Sequence, residues 1–202
     1  MSAQDDKPKR GRPQTLDRDT VLKTALMSYW TEGPTRVAIS SICQMANVSK
    51  PGLYREFGSD DGLKNAVLDL YREMVLAPFY DILTSNESFD QQVEALISFT
   101  IQDRHPLGIP SGCLQVAMRA HKEELGEITR GKVEVLRRET LLNYERWIER
   151  AKSRGEFKAS ISSEAAAHFC DAQNNGAMRM QNEGVPNEVI RKTLKLAFSV
   201  MV

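Results

Sequence analysis

The sequence predicts an all-α protein made of a compact N-terminal three-helix unit and a larger helical body. Three observations lead there. Apolar residues recur at spacings of three and four from about residue 18 onward. No stretch alternates convincingly in the manner of a strand. Gly, Pro and Asn fall between the periodic runs, where helices stop.

The first thirteen residues, MSAQDDKPKRGRP, are polar and rich in charge and proline, and are expected to be disordered on their own. Val21, Leu22, Ala25, Leu26, Tyr29 and Trp30 then form one stripe behind a capping Asp17, closed by Gly33-Pro34. Ile39, Ile42, Cys43 and Ala46 make a second, short helix, and Asn47 sits where the chain must turn, because Asn tolerates the left-handed conformation. A third helix covers KPGLYREF. A fourth is expected from about Asp60 to Ala77, stopped by Pro78. Further helices are expected from Ser88 to near His105-Pro106, from near Cys113, and along a long segment with Ile128, Val135 and Leu142 on one line, stopped by Gly155. Residues 106–112 read as a loop, and Ser163–Glu183 and Pro186–Met201 complete the set.

The third helix carries the chemistry. With Ser49 as its cap, Lys50, Pro51 and Gly52 occupy the first turn, where backbone N–H groups have no helical partner and proline loses nothing. Val48 and Leu53 form a staple across the cap. Leu53 and Phe57 point inward, and Lys50, Tyr54, Pro51 and Arg55 point outward. A positive helix end with a bare backbone suits a phosphate or a groove. Behind a short helix and a tight turn, it reads as the second helix of a helix-turn-helix. The arm KPKRGRP, with Lys7, Lys9, Arg10 and Arg12, has the form of a segment lying in a narrow minor groove. Charge agrees in sign: residues 1–57 hold nine Lys/Arg against six Asp/Glu, while the chain as a whole is neutral.

Several classes are excluded. The N-terminus is hydrophilic and basic, and no uncharged apolar run approaches the roughly 18–20 residues of a membrane span. A cytoplasmic protein without a membrane partner is therefore expected. Cys43, Cys113 and Cys170 are odd in number, and neither they nor His105, His121 and His168 share a ligand spacing, so neither disulfide nor metal is expected. No G-x-S-x-G, H-E-x-x-H or phosphate loop is present, and no enzyme or cofactor is expected.

The residues from Arg18 to about Leu68 resemble the tetracycline-repressor (TetR) family of bacterial transcriptional regulators. The resemblance rests on "VLKTAL", Tyr29-Trp30, Gly33, "IC" at 42–43, and "VSKPGLYREF" followed by Leu63. PKRGRP resembles an AT-hook core, and "GCLQVAMRA" a feature of one family branch. The resemblance implies a disordered basic arm over 1–13, a DNA-binding domain over 15–75 with its motif at about 38–57, and an effector-binding and dimerisation domain over 76–202. It also implies a homodimer on a palindromic DNA operator, released by a small-molecule effector.

Carried onto this chain, the DNA-facing residues would be Arg10, Arg12, Ser40, Ser41, Ser49, Lys50, Pro51, Gly52, Tyr54, Arg55 and Lys64. The family's capping Thr of the second helix is Ala38 here, leaving Ser40 or Ser41 to serve. Glu56 and Asp60 are acidic where phosphate contacts would fall, with Lys64 as substitute. Ala166, Cys170, Ala177, Ile190, Leu194, Ala197 and Phe198 are the expected dimer face. Met74, Phe99, Cys113, Met118, Tyr144, Trp147, Asn174 and Met178 are the candidate effector contacts. Cys113 at a helix start is a candidate oxidant sensor if its pKa is depressed, but the reading preferred from the sequence is a buried structural thiol. The alternatives are a nucleoid-type or ligand-independent DNA binder, and a Cys113-dependent redox sensor or thiol enzyme.

Overall fold

The computed structural model describes residues 16–103 and 108–201, and among these every regular element is helical. The arm, with Arg10 and Arg12, lies outside the described residues, as does part of the expected loop at 106–112. Ten α-helices follow in order: α1 (Arg18–Glu32), α2 (Ile39–Met45), α3 (Lys50–Phe57), α4 (Asp60–Tyr71), α5 (Ala77–Thr84), α6 (Phe89–Thr100), α7 (Leu114–Ala120), α8 (Glu127–Ser153), α9 (Ser163–Asn182) and α10 (Asn187–Ser199). No described helix is long and apolar enough to cross a membrane, and no described group of His, Cys, Asp and Glu could hold a metal.

The first helix forms as its sequence directs. Asp17 accepts from the N–H groups of Asp19 and Thr20, and the whole predicted stripe from Val21 to Trp30 is buried. Three later expectations are corrected. The fourth helix does not stop at Pro78: α4 passes through one π turn, Arg72–Leu76, into α5, whose first turn holds Pro78. Proline cannot supply the i→i−4 bond, and the π turn breaks that ladder just before it is needed. The sixth helix ends at Thr100, before His105. Ile128, Val135 and Leu142 face solvent, and the buried line of α8 is Val133, Leu136, Thr140, Tyr144, Trp147 and Ile148.

A central aromatic group fills the body. Trp147 stacks on Phe89 at 4.6 Å between centroids, and its indole N–H donates to Gln92 at 2.7 Å. Phe79 meets Tyr144 edge-on. On the other side, Trp30 of α1 meets Tyr71 of α4 edge-on at 5.0 Å.

Helix α4 lies between these two regions, and polar links tie it to α8. The Asp61 carboxylate accepts from the backbone N–H groups of Ile128 at 2.9 Å and Thr129 at 3.1 Å, capping α8 from another helix, and it also binds the Thr129 hydroxyl. Asp69 pairs with Lys132, and Arg72 with Glu139. Two glycines make the approach possible. A Cβ on Gly126 would lie 2.2 Å from the Asp61 carboxyl carbon, and one on Gly62 would lie 1.9 Å from the Phe57 carbonyl. Burial alone would raise the Asp61 pKa, but the hydrogen bonds from Thr129 and Ile128 outweigh it and hold the carboxyl below its ordinary value.

Replacing Asp61 by Ala should lower stability by about 1–2 kcal/mol in urea unfolding at neutral pH, the scale of a lost helix cap. Because the folded pKa is depressed, the difference from the parent should hold above the unfolded value of about 3.9 and shrink as pH falls through the folded one. A difference independent of pH down to strong acid would contradict the cap.

Candidate nucleic-acid interface

The turn between α2 and α3 is set by backbone geometry. Asn47 is the one non-glycine residue with positive φ (53°) among those described. Around it, the Val48 N–H reaches the Cys43 carbonyl at 2.9 Å, and the Asn47 N–H reaches that of Gln44 at 3.2 Å. These are the paired bonds of a Schellman ending, which needs a left-handed residue at this place. The chain then enters α3 with Ser49 as cap, its hydroxyl accepting from the Gly52 N–H at 3.2 Å, and Pro51 in the first turn.

Helix α3 is divided sharply by burial. Leu53 is fully buried and Phe57 is half-buried against the same core, which also holds Ile42 and Cys43 of α2. The opposite side exposes Ser49, Lys50, Pro51 and Arg55, and α2 adds exposed Ser40, Ser41 and Gln44. Gly52 and Tyr54 are half-exposed, and the Lys50 ammonium lies 5.5 Å from the centre of the Tyr54 ring. Neither Lys50 nor Arg55 has a carboxylate partner among the described residues. The result is a cationic helix end with its backbone open to a ligand.

Three expectations change here. Ser40 and Ser41 do not cap α2: the helix begins at Ile39, with Ala38 at the cap position and no side-chain cap bond, so both serines fall inside the first turn. Lys64 is not a free cation. Its ammonium pairs with Asp60, lies 5.4 Å from the Tyr29 ring centre, and its side chain is only 11% exposed. The acidic residues are also spoken for. Asp60 accepts from Tyr29 and Lys64, and Glu56 pairs with Arg18 at 3.1 Å, whose guanidinium also covers Phe57 at 5.5 Å. Arg18, at the start of α1, is thus part of this face. Nothing in the sequence indicates that, since its partners are 38 and 39 residues away.

In the body, the expected dimer residues are mostly interior. Ala166, Cys170, Ala177, Ile190, Leu194 and Phe198 are all buried within this one chain, and only Ala197 is half-exposed. Helical phase explains this: the apolar stripe of α9 packs on α8 and α6 and that of α10 on α9 and α6, so the faces left open are the opposite ones. Those carry Ala165, Ala172 and Gly176 on α9, and Val189, Thr193, Leu196 and Val200 on α10, with Leu196 73% exposed.

The effector candidates do not gather at one cavity. Met118, Tyr144, Trp147 and Met178 are core residues, and Phe99 packs on Phe79. Asn174 accepts from Thr100 at 2.8 Å, and Met74 is exposed. Cys113 does stand at the start of α7, but burial raises its pKa, against a Tyr71 hydroxyl that donates to the sulfur at 3.1 Å. The depression that a sensor needs is absent, in line with the preferred structural-thiol reading. The ligand-sized clefts lie elsewhere. One, of about 350 Å³, is lined by Val116, Arg119, Ala120, Lys122, Glu134, Arg137 and Asn175.

A capped, cation-bearing second helix behind a Schellman turn, mounted on a larger helical body, defines a helix-turn-helix protein of the all-α kind. Its fold is that of the TetR-family transcriptional regulators. CifR, a TetR-family regulator solved with 26-base-pair operator DNA, superposes with a TM-score of 0.82 over 95% of this chain and 100% of that one, at 24% identity. A TetR-family regulator from Agrobacterium tumefaciens gives 0.81 over 91% and 96%, at 16% identity. In sequence, the chain is 30% identical over 119 residues to the HTH-type transcriptional repressor ComR of Escherichia coli K12, covering 54% of this chain and 53% of ComR. It thus spans about half the length of that curated relative. No family model matches the chain.

The turn and the cap should be measurable separately by urea unfolding. Ser49→Ala should lower stability by about 1 kcal/mol. Asn47→Gly should be neutral or better, whereas Asn47→Val should lose roughly 1–2 kcal/mol through its Cβ in the left-handed region. Equal effects of Gly and Val at position 47 would rule out this turn.

Proposed function

We propose that the chain is a sequence-specific DNA-binding transcriptional regulator, a repressor that binds a palindromic operator as a homodimer and leaves it when a small molecule occupies the body. One observation carries this reading: the outer face of α3 presents Lys50 and Arg55 without a carboxylate partner among the described residues, beside Pro51 and Gly52, while the other face is locked into the core by Leu53. The likeness to CifR, a regulator bound to its operator, and to ComR, a transcriptional repressor, supports it. Lys50, Pro51 and Gly52 meet base edges, Tyr54 and the α3 N-terminus hold phosphate, and the arm with Arg10 and Arg12 adds a minor-groove contact. The dimer forms through the open faces of α9 and α10.

Selection from random DNA followed by footprinting tests it. The expected product is a palindrome whose half-sites lie one helical turn apart, about 34–36 Å, on one face of the duplex. Binding that follows only salt and AT content would overturn the reading in favour of a nucleoid-type protein.

Arg18 gives a sharper test of the face. Arg18→Ala should leave the Glu56 carboxylate uncompensated beside the phosphates and weaken operator binding several-fold, as a like charge does at an interface. Glu56→Gln in the same chain should restore most of that loss. Failure of the second change to rescue the first would mean that Arg18 contacts DNA on its own account.

Leu196→Glu should convert the dimer to a monomer in analytical ultracentrifugation and remove most operator affinity, since each half-site alone is held by one short helix. A Leu196→Glu protein that stays dimeric would place the interface elsewhere.

A further inference from the structure

We propose that the cleft between α7, α8 and α9 is a binding site for a small organic carboxylate. The proposal rests on the regulatory reading above for its consequence, but not for the site itself. Three cations converge there from separate elements: Arg119 at the end of α7, Lys122 in the 3₁₀ turn that follows, and Arg137 in α8.

Arg137 is the unusual member. It has no ion pair among the described residues, and its Nε is buried without a hydrogen-bond partner. A desolvated guanidinium donor left unmatched is costly, and an oxyanion beside it removes that cost. The other two cations have partners at the long end of ion-pair range. Arg119 lies 3.5 Å from Asp171 in a largely buried pair, and Lys122 lies 3.6 Å from Glu134 with both side chains nearly half exposed. The exposed Lys122 pair contributes little and is easily re-partnered.

Charge and shape fix the class of ligand. Three cations face two carboxylates, Asp171 and Glu134, leaving one positive charge for a monoanion. The planar fork of Arg137 matches a carboxylate. Val116 and Ala120 supply an apolar wall for the organic part, Asn175 a further polar contact, and about 350 Å³ suits a small molecule.

The site also bears on α3. Arg137 is ten residues along α8 from Glu127, at the end of the helix that Asp61 of α4 caps. An anion drawing Lys122 and Arg119 toward Arg137 acts on the helix against which α4, and hence α3, is fixed.

Isothermal titration of the full chain with benzoate, against phosphate and chloride at equal ionic strength, reads the site directly. Saturable benzoate binding, weaker phosphate binding and none with chloride are expected. Arg137→Gln should weaken benzoate at least about tenfold, and Arg137→Lys less, since it keeps the charge but loses the fork. Benzoate should also reduce affinity for the selected operator by roughly 5- to 150-fold, the usual span of allosteric coupling. That ratio should fall close to one in Arg137→Gln. Benzoate binding no better than chloride, or undiminished in Arg137→Gln, would overturn the site, and phosphate bound more tightly would overturn the carboxylate assignment. Arg137-dependent benzoate binding with unchanged operator affinity would overturn the effector role. A protein that binds benzoate through Arg137 but selects no operator would refute the regulatory reading and leave the site standing.

Discussion

The Asp61 carboxylate joins the two halves of this molecule. It stands in the first turn of α4, immediately after the corner from α3, and it closes the N-terminus of α8, the longest helix of the body. A helix N-terminus with open N–H groups favours a negative charge, and here the charge comes from a different helix. Gly126 and Gly62 exist at the contact because a Cβ at either would strike the Asp61 carboxylate or the Phe57 carbonyl. The Asp69–Lys132 and Arg72–Glu139 pairs extend the contact along α4. On its other side α4 buries Leu63, Val67 and Leu68 in the same core as α1. The angle at which α3 leaves the protein is therefore set by α4, and the place of α4 is set by α8. Packed interiors transmit displacement instead of absorbing it, so a shift of α8 reaches α3.

The same constraint accounts for the charges around the outer face of α3. Asp60 and Asp61 look misplaced when α4 is regarded as a phosphate-gripping helix. They fit once α4 is regarded as a joint. Asp61 holds the body, and Asp60 fixes Tyr29 of α1 through its hydroxyl while neutralising Lys64. Acidic residues in a first turn also suit the helix dipole. The start of α4 is thus committed to holding the domain together, with Lys64 paired to Asp60. Glu56 is treated differently: it remains at the surface, and Arg18 cancels it. On α3 itself, Lys50 and Arg55 are left as the cations without a carboxylate partner among the described residues.

How much of this was legible follows a simple division. Most caps and the turn are local, and they were readable: Asp17, Asn47, Ser49 and Ser88 all act as their residue types direct, whereas the stops expected at Pro78 and near His105 were not. The outward face of α3 was readable because proline and glycine narrow the possible register to one. Phase and partnership were not. Ile128, Val135 and Leu142 recur every seven residues, yet they face solvent, because threonines and aromatics on the adjoining line fill the interior. The small residues of α9 allow close helix approach, but spacing alone does not say whether the approaching helix belongs to the same chain. Ion pairs such as Arg18–Glu56 and the convergence of Arg119, Lys122 and Arg137 join residues far apart in sequence, within runs that read as ordinary solvated charge.

Two chemistries in the body are candidates for signalling to α3, and the structure weighs them unequally. Cys113 is close to the joint, since Tyr71 of α4 donates to its sulfur. Reaction with an oxidant or electrophile proceeds through the thiolate, however, and burial raises the pKa here. The α7 N-terminus behind it spans only seven residues, and its field does not offset the desolvation. The Tyr71 bond stabilises the anion only in part, so the thiol is protonated at neutral pH and is held as a packing element between α4 and α7. The cationic cleft has the opposite character. It opens to solvent, three cationic side chains line it, and one of its buried donors has no hydrogen-bond partner. A ligand entering there meets charges poised for it and bears directly on α8, whereas chemistry at Cys113 must first open the core that protects it. Control through the proposed cleft would therefore reach α3 without opening the core, and control through Cys113 would not.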